Sequence, residues 1–445
     1  MLVSCPETGG GRILLSNLPR RGFRLQGVTA PLPGLKSWAR CSGPSGAKKT
    51  SVPIELVKEV FLDVEGSGIG VRRIEELLER QMDDAMSEPF NLADYEQLAR
   101  ERLPRMVYDY YAGGSGDEVS LRENELAWSR VRLRPRVLVD VSACDLSTTV
   151  LGRPVAMPVL TAPCGMNVLA HPDGELAVAR ATAAAGIVQV LSTLSGHSLE
   201  DIAAASSAAG AAGGAQWFQL YCYRDRGITR ELVARAEAAG FLALCVTVDV
   251  PVLGYRERDA RNRFHLPPGV RVANITQQVE EIDRGSALLQ YVSDQFDPSL
   301  TWESVDWLRS ITRLPVVLKG VLAAEDARLA VEHGAAGVVV SNHGGRQLDG
   351  TVAPCDALPE IAAAVGGGAE VYVDGGIRRG VDVLKALALG ARAVLIGRPY
   401  LWALAADGEA GVLRLLHMLR DELRRSLALA GCPRISDVRP SLIAR

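Results

Sequence analysis

The chain has 445 residues, 48% of them hydrophobic, and this length suits one large α/β barrel or two ordinary domains with a sizeable core. A formal charge of −3 and a pI near 6.2 lack the basic excess that binding to a nucleic-acid backbone exploits, so nucleic acid is not an expected partner. The eight cysteines form no C-x-x-C pair, and the sequence holds neither a run of about 18 apolar residues nor a secretory core, so we expect reduced thiols, no transmembrane segment, no metal site and a cytoplasmic location.

The first 90 residues divide into two zones. Residues 1–50 carry eight Lys or Arg residues against one acid, Glu7, with many Gly, Pro and Ser. This composition predicts a disordered basic extension and is also typical of an organelle transit peptide, so targeting stays an alternative. Residues 51–90 place apolar residues at helical spacing beside charged ones. They predict a helical extension that either packs on the main domain or docks a partner.

From residue 91 the chain repeats one unit: a short β-branched run, a polar or Gly-containing turn, and an Ala- and Leu-rich helix. Eight strands are predicted, at 155–163, 187–192, 216–221, 243–249, 316–320, 337–343, 371–376 and 393–398. Helices are predicted between them, among them 174–185, 231–239, 325–332 and 381–389. Alternating helices and near-continuous apolar strands indicate parallel strands covered by helices, which predicts a (β/α)8 TIM barrel over residues 151–435.

Three segments accompany this barrel. Residues 91–150 predict an N-terminal helical cap, and residues 436–445 form a C-terminal tail. Between the fourth strand and the helix WESVDWLR lie roughly fifty residues, far beyond the usual connection of about 2–6 residues. We interpret this long connection as a lid over the barrel mouth.

Polar residues collect at the C-terminal ends of the predicted strands, the face on which such barrels place catalytic residues. Seven of the eight strands contribute, with Ser192, Gln219, Tyr221, Thr247, Asp249, Lys319, His343, Arg346, Asp374, Arg378 and Arg398. A buried salt-bridge network would explain some of these charges but not the glycines beside them, at 344–345, 375–376 and 397. Glycines let a ligand approach the backbone, and barrels often bind phosphate after the last two strands, so the pattern predicts a phosphorylated ligand.

Motifs along residues 91–435 carry a family resemblance. The most specific is SNHGGRQLD at 341–349, and the others are LPRMVYDYY, FQLY, TVDVP, LGYRE, LKGV, DGGIRRG and LIGRP. These motifs, and the order in which they occur along the chain, closely resemble the FMN-dependent 2-hydroxy acid oxidase and dehydrogenase family, which includes glycolate oxidase and lactate oxidase. The resemblance implies FMN as cofactor, a small 2-hydroxy acid as substrate and a homotetramer or homo-octamer.

By this resemblance His343 is the base that takes a proton while the substrate carbon passes two electrons to FMN, and Asp249 pairs with it and adjusts its pKa. Whether the proton leaves the carbon or the hydroxyl stays open. The residues implied to meet the substrate are Tyr110, Tyr221, Arg256 and Arg346. A guanidinium fork matches the two oxygens of a carboxylate, and the tyrosines would hydrogen-bond the carboxylate and the hydroxyl.

The resemblance also implies the cofactor contacts. Lys319 would lie beside the pyrimidine end of the flavin, where a cation stabilises the negative charge of the reduced ring. The other implied contacts are Pro163, Cys164, Gly165, Ser192, Gln219, Thr247, Ser341, Asp374, Gly375, Gly376, Ile377, Arg378, Gly397 and Arg398. The family usually has Thr-Ala or Thr-Gly where this chain has Cys164-Gly165, and the missing β-carbon leaves space near the flavin. The electron acceptor therefore stays open between oxygen, which would give hydrogen peroxide, and a quinone or protein.

Leu194 bears on the choice of substrate. It occupies the position where glycolate oxidases resemble one another in carrying a tryptophan that closes the substrate side-chain pocket. A smaller aliphatic side chain frees volume, which predicts L-lactate or a longer aliphatic 2-hydroxy acid over glycolate, with an aryl substrate such as mandelate as the alternative. A flavocytochrome is not expected, because no histidine precedes His171 to bind haem. A non-enzymatic scaffold is disfavoured because every charged site residue is present.

Overall fold

The computed structural model describes residues 2–4, 12–14, 89–209, 214–275 and 294–444. The chain divides into two compact units, Met1–Glu88 and Pro89–Arg445. In the first unit, strand β1 (Leu2–Ser4) pairs antiparallel with β2 (Arg12–Leu14). Of residues 1–90, the structure describes only 2–4, 12–14 and 89–90. The predicted disorder of residues 1–50 and the predicted helices of residues 51–90 therefore stay predictions.

The second unit contains a closed barrel of eight parallel strands, arranged in the order in which they follow along the chain. The strands are β5 (Val159–Thr161), β6 (Val188–Leu191), β7 (Ala215–Leu220), β8 (Leu244–Thr247), β9 (Val316–Val321), β10 (Gly337–Val340), β11 (Glu370–Val373) and β12 (Ala393–Ile396). All residues of β6, β8, β10 and β12 are buried, as expected for strands covered on both faces. The predicted (β/α)8 TIM barrel is confirmed.

Helices cover the outside of the barrel. They are α4 (Gly174–Ala185), α5 (Leu199–Ala209), α6 (Arg226–Ala238), α8 (Trp302–Ser310), α9 (Ala324–Glu332), α10 (Pro354–Val365), α11 (Gly380–Ala388) and α12 (Arg398–Ala430). Helix α4 coincides with its predicted range. Helix α6 begins at Arg226 rather than at 231, because the Asp225 carboxylate caps it by accepting a 2.7 Å hydrogen bond from the Gly227 N–H.

A hairpin of β3 (Thr148–Val150) and β4 (Arg153–Val155) precedes the first barrel strand. Its buried valines join the apolar cluster inside the barrel, where Trp217 meets Tyr372 edge to face at 5.3 Å. The backbone at the hairpin tip donates a 3.0 Å hydrogen bond to Glu370, the first residue of β11. The hairpin therefore closes the N-terminal end of the barrel, opposite the predicted mouth.

The predicted cap consists of α1 (Leu92–Arg102), α2 (Arg105–Ala112) and α3 (Val119–Arg130), followed by an irregular stretch up to the hairpin. The long connection after β8 carries a short helix, α7 (Glu257–Arg261), and its residues 276–293 lie outside the described part. The predicted C-terminal tail packs on the cap region, since Ile443 forms an isolated antiparallel β-bridge with Leu133. Every helix that the structure describes is too short or too polar to cross a lipid bilayer.

Candidate active site

A cavity, partly open to solvent, lies at the C-terminal ends of the strands. It brings together most of the predicted site residues, namely Tyr110, Pro163, Cys164, Gly165, Ser192, Leu194, Tyr221, Arg256, Lys319, His343, Arg346, Asp374, Gly375, Gly376, Ile377, Arg378, Gly397 and Arg398. The remaining four, Gln219, Thr247, Asp249 and Ser341, lie directly behind this lining and hydrogen-bond to it or to each other. The predicted residues thus form one site, although the role of each stays a prediction.

His343 follows β10 in the left-handed region, with φ +58°, which costs a non-glycine residue free energy. Its backbone N–H donates to the Ser341 hydroxyl at 3.0 Å, and its ring Nδ1 lies 3.0 Å from Asp249 Oδ1. Burial lowers the pKa of His343 below its ordinary value, with the Asp249 carboxylate acting in the opposite direction. The imidazole is therefore neutral near pH 7, and with Nδ1 donating to Asp249 its Nε2 is free to accept a proton.

Asp249 stays ionised beside this histidine. Burial acts to raise its pKa, but the His343 ring and the Lys319 ammonium outweigh burial and hold that pKa below the ordinary value. Space for the carboxylate comes from Gly320 in the LKGV motif, where a β-carbon would lie 2.5 Å from the Asp249 side chain. Within the described residues, Asp249 Oδ2 accepts no hydrogen bond, so the carboxylate acts mainly on the histidine.

Lys319 supplies a buried cation on β9. Its Nζ lies 3.2 Å from Asp374 Oδ2 and donates to the Ser341 hydroxyl at 3.0 Å, and its side chain is 4% exposed. Burial acts to lower its pKa, but the carboxylates of Asp374 and Asp249 outweigh burial and raise it. The ammonium therefore keeps its charge at the floor of the cavity.

A polar row crosses the ends of β6, β7 and β8. Gln219 is buried, and its Nε2 donates to the Thr247 hydroxyl at 2.9 Å while its Oε1 accepts from the Ser192 hydroxyl at 3.3 Å. The same Oε1 accepts from the Thr193 backbone N–H at 3.1 Å. Within this row Ser192 lines the cavity, and Gln219 and Thr247 support it from behind.

Two tyrosines and two arginines converge near His343. Tyr110 stacks on Phe264 with ring centroids 4.3 Å apart, and Tyr221 stacks on Phe296 at 4.2 Å. Burial, followed by repulsion from the neighbouring arginine, lowers the pKa of Arg256 to about 10. Its Nε has no hydrogen-bond partner in the described part of the chain.

The second of these arginines is Arg346, and it points toward the cap. One terminal nitrogen donates to the carbonyls of Tyr110 at 2.6 Å and of Gly113 at 2.9 Å. The two guanidinium groups repel each other, as the lowered pKa of Arg256 reflects. A buried anion between them would relieve that repulsion, which favours a carboxylate ligand.

Arg398 begins α12 at the other end of the cavity. It donates to three backbone carbonyls at 2.9–3.0 Å, those of Tyr111, Gly113 and Gly344. Burial, followed by the charges of neighbouring arginines, lowers its pKa to about 9. Because these hydrogen-bond partners are neutral, the guanidinium charge remains available to an anion.

Glycines allow the loops of this end to pack. At Gly376, with φ +77°, a β-carbon would lie 1.8 Å from the Asn124 carbonyl of the cap, and at Gly345 it would lie 2.6 Å from the Leu121 nitrogen. At Gly344 it would lie 2.9 Å from Arg398. Several of the glycines that predicted ligand access are thus required by contact with the cap or with Arg398.

Residues 99–445 match the family model described as FMN-dependent dehydrogenase. The chain belongs to this family. The match covers most of the cap and the whole barrel, and it confirms the predicted family, the FMN cofactor and the assignment of the chain as an enzyme.

Similar proteins of this FMN-dependent dehydrogenase family are L-lactate oxidase of Nostoc sp. (54% identical over 81% of this chain and 99% of the relative) and Glycolate oxidase 3 of Arabidopsis thaliana (52% over 78% and 94%). A solved structure of mandelate oxidase with (S)-4-hydroxymandelic acid is 50% identical, with a TM-score of 0.75, and covers 80% of this chain and 98% of its own. The predicted reaction class, FMN-dependent oxidation of a 2-hydroxy acid, is confirmed at this level.

The chemistry of the cavity lining fits FMN. Asp374 Oδ1 is buried and has no hydrogen-bond partner among the described residues, as an acceptor awaiting a hydroxyl would be. The Lys319 ammonium and the uncompensated Arg398 guanidinium supply cations at separate places for a ring and a phosphate. Ser192 lines the cavity with Gln219 and Thr247 hydrogen-bonded behind it, which suits a ring that carries several nitrogen and oxygen atoms.

Two cap residues that organise the site, Asn124 and Trp128, carried no recognised signal in the sequence. Asn124 of α3 and Asn342 exchange two amide hydrogen bonds, at 2.8 and 2.7 Å, which tie the histidine loop to the cap. The Trp128 indole donates to the Gly375 carbonyl at 2.8 Å. These partners are more than 200 residues apart, so no local pattern could indicate them.

Proposed function

We propose that the enzyme oxidises L-lactate or a longer aliphatic L-2-hydroxy acid to the 2-oxo acid and passes the electrons through FMN to oxygen, giving hydrogen peroxide. The observation that carries the choice of substrate is the cavity wall made by Leu194 and Gly165. A β-carbon at Gly165 would lie 3.1 Å from Leu194 Cβ, so these residues meet side by side with small apolar surfaces. An L-lactate oxidase is among the similar proteins, which supports the same choice.

His343 would act as the base. Its neutral imidazole presents Nε2 to the cavity, and the proton that it accepts from the substrate converts it to an imidazolium whose charge faces Asp249. FMN, when bound, supplies the two-electron acceptor. Asp249 thus stabilises the state in which the proton has been taken, and it keeps the ring in the tautomer that receives the proton at Nε2.

The substrate carboxylate would bind between Arg256 and Arg346. The unpartnered Nε of Arg256 and the mutual repulsion of the two guanidinium groups favour an anion there. Tyr110 and Tyr221 are fixed by stacking on phenylalanines and would hydrogen-bond the carboxylate and hydroxyl. Two arginines with fork geometry restrict a carboxylate to one orientation, which would place the 2-carbon before the base.

The cofactor would be held along the barrel mouth. Lys319 would meet the pyrimidine end of the ring, and Ser192, Gln219, Thr247 and Ser341 the ring or the ribityl chain. Asp374 to Arg378, with Gly397 and Arg398, would bind the ribityl and phosphate groups. Pro163, Cys164 and Gly165 line the cavity beside Leu194 and would lie along the other face of the flavin through their backbone.

The pocket at Leu194 gives the test of the proposed substrate. We expect wild type to prefer L-lactate or L-2-hydroxyisocaproate over glycolate, and Leu194→Trp to shift the preference toward glycolate by roughly tenfold or more, because an indole fills space that a substrate side chain would use. The measurement is kcat/KM for glycolate, L-lactate, L-2-hydroxyisocaproate and mandelate. Leu194→Met, of similar volume, is the matched control.

Three outcomes would contradict the proposed substrate. A wild-type preference for glycolate would do so, as would a tryptophan variant whose preference does not move. A preference for mandelate would favour the aryl alternative, which the similar mandelate oxidase structures support. Hydrogen peroxide formed in step with the 2-oxo acid tests oxygen as acceptor, and its absence would favour a quinone or protein.

Asp249→Asn tests the role of the carboxylate through pH. Wild-type kcat/KM should fall as pH drops below the lowered pKa of His343, because an imidazolium cannot accept a proton. Removing the Asp249 charge removes the influence that raises this pKa, so the acid limb should move to lower pH. The rate should fall roughly 10- to 100-fold, since the imidazolium loses its counter-charge. An acid limb that stays in place or moves to higher pH would refute the pairing.

A homotetramer or homo-octamer and a cytoplasmic location complete the proposal. The assembly rests on the family resemblance, and the location rests on the unpaired cysteine pattern and the lack of a secretory core in the sequence. Light scattering of the purified protein would measure the assembly, and a fluorescent fusion of the full chain would test whether residues 1–50 direct it to an organelle instead.

A further inference from the structure

The segment from Leu253 to Phe264, which we call the lid segment, contacts the cavity on one side and the cap on the other. Leu253 and Arg256 line the cavity. Arg258 lies outside that lining and reaches the cap, with its Nη2 2.5 Å from Glu118 Oε2 and its Nη1 3.7 Å from Asp109 Oδ1. It therefore connects the part of the chain that carries a substrate-site arginine to two carboxylates of the cap.

These carboxylates are more enclosed than those of a typical surface ion pair. The side chain of Asp109 is 14% exposed and that of Glu118 is 16% exposed. Each has a second partner, since Asp109 Oδ2 accepts from the Asn262 amide at 2.7 Å and Glu118 Oε1 accepts from the Gly114 N–H at 3.0 Å. Partial burial and shared partners make such a network stronger than an isolated exposed pair.

The remaining contacts of the lid segment also lead to the site. The Gly116 N–H of the cap donates to the Tyr255 carbonyl at 3.1 Å. The Gln347 amide, four residues after His343, donates to the Val252 carbonyl at 2.8 Å and accepts from the Gly254 N–H at 3.0 Å. The start of the lid segment is thus bonded to the cap and to the histidine loop.

Arg256 has little support of its own. Its Nε is unpartnered in the described part of the chain, and its ion pair with Asp259, on the short helix that follows it, spans 3.8 Å. Helix α7 has five residues, too few to be stable without tertiary contacts. Its contact with the cap through Arg258 and Asn262 therefore determines where Arg256 lies.

We propose that Arg258, with Asp109 and Glu118, is a positioning latch between the cap and the lid segment. The latch fixes Arg256 on the lid segment relative to Tyr110, which neighbours Asp109 on α2. It rests on the proposed function in one respect, that Arg256 and Tyr110 bind the substrate carboxylate. Arg258 itself acts through these residues and meets neither substrate nor FMN.

The first test is steady-state kinetics of FMN-loaded Arg258→Gln with L-lactate. We expect KM to rise about tenfold while kcat changes by less than about twofold and FMN stays bound, because the variant loosens a binding group and leaves His343 in place. Arg261→Gln is the matched control. It removes an ion pair with Glu257, of 2.6 Å, on the exposed side of the same helix and should leave KM unchanged. An unchanged KM in Arg258→Gln, or an equal rise in both variants, would overturn the proposal.

A double variant separates the latch from general damage to the fold. Glu118→Gln should raise KM less than Arg258→Gln, because Asp109 still pairs with the arginine. The double variant Glu118→Gln/Arg258→Gln should match Arg258→Gln alone, since the arginine is already gone. Independent, multiplying effects of the two substitutions would overturn the proposal.

A readout without substrate distinguishes failure of the latch from failure of the proposed function. In FMN-loaded protein, amide hydrogen exchange over residues 253–264 should be about tenfold faster in Arg258→Gln and unchanged in Arg261→Gln. If wild type turns over no 2-hydroxy acid, the proposed function fails and this exchange measurement still decides whether Arg258 anchors the lid segment. Unchanged exchange in Arg258→Gln would overturn the latch.

Discussion

Replacing His343 with alanine is expected to slow flavin reduction by substrate at least about 100-fold while FMN stays bound. The variant removes the Nε2 acceptor but leaves the Lys319 ammonium and the Arg398 guanidinium, which would hold the cofactor, in their present contacts. Anaerobic stopped-flow absorbance, with FMN-loaded protein and L-lactate, measures the reduction rate directly.

The chain offers a matched control for this variant. His333 also pairs with a carboxylate, since its Nδ1 lies 2.9 Å from Asp306, but this pair joins α8 to the end of α9 on the outside of the barrel. In His333→Ala, L-lactate should reduce the bound flavin at the wild-type rate. A wild-type rate in His343→Ala, or an equal loss in both variants, would refute His343 as the base.

Replacing Arg398 with alanine should weaken FMN binding roughly 10- to 100-fold. The variant removes a buried cation whose hydrogen-bond partners in the described part of the chain are neutral carbonyls, and each charge-assisted hydrogen bond to a phosphate contributes about 1.5–3 kcal/mol. Titration of the stripped protein with FMN, followed by flavin fluorescence, gives Kd. Lys319→Ala should weaken binding as well, because it removes the cation that would lie beside the ring.

Arg398 also supports the loops that it hydrogen-bonds, so the fold needs its own check. Arg398→Lys keeps the charge and should bind FMN more tightly than Arg398→Ala. Arg392→Ala is the control. Arg392 precedes β12, whereas Arg398 follows it, so Arg392 lies at the opposite end of the barrel, and its side chain is 47% exposed. Wild-type FMN affinity in a folded Arg398→Ala protein would contradict the assignment of the phosphate end.

The strands and their polar ends could be predicted because both depend on local sequence. Buried parallel strands require runs of β-branched and apolar residues, and every predicted run holds a barrel strand or overlaps one closely. The site residues lie at the C-terminal ends of those runs, and so Asp249, Lys319 and His343 could be assigned to one mouth before their distances were known. Long-range contacts such as Asn124 with Asn342 could not be predicted, since each residue alone resembles an ordinary polar residue.

The glycines after β11 were correctly predicted to lie at the site, but ligand access explains only part of why glycine is needed there. The sequence indicated ligand access at 375–376, but a β-carbon at Gly376 would first meet the Asn124 carbonyl of the cap. The start of α6 was misplaced because the cap formed by Asp225 lies ahead of the apolar pattern. In both cases the deciding contact involves a backbone group, the Asn124 carbonyl or the Gly227 N–H. Hydrophobic periodicity does not indicate such contacts.

Anaerobic mixing of FMN-loaded wild type with 2-hydroxy acids tests the central claim most directly. The account predicts a yellow protein whose flavin absorbance is lost on addition of L-lactate, with stoichiometric 2-oxo acid formed, and returns with hydrogen peroxide when oxygen is admitted. A flavin that stays oxidised with L-lactate, glycolate, L-2-hydroxyisocaproate and mandelate alike would contradict it.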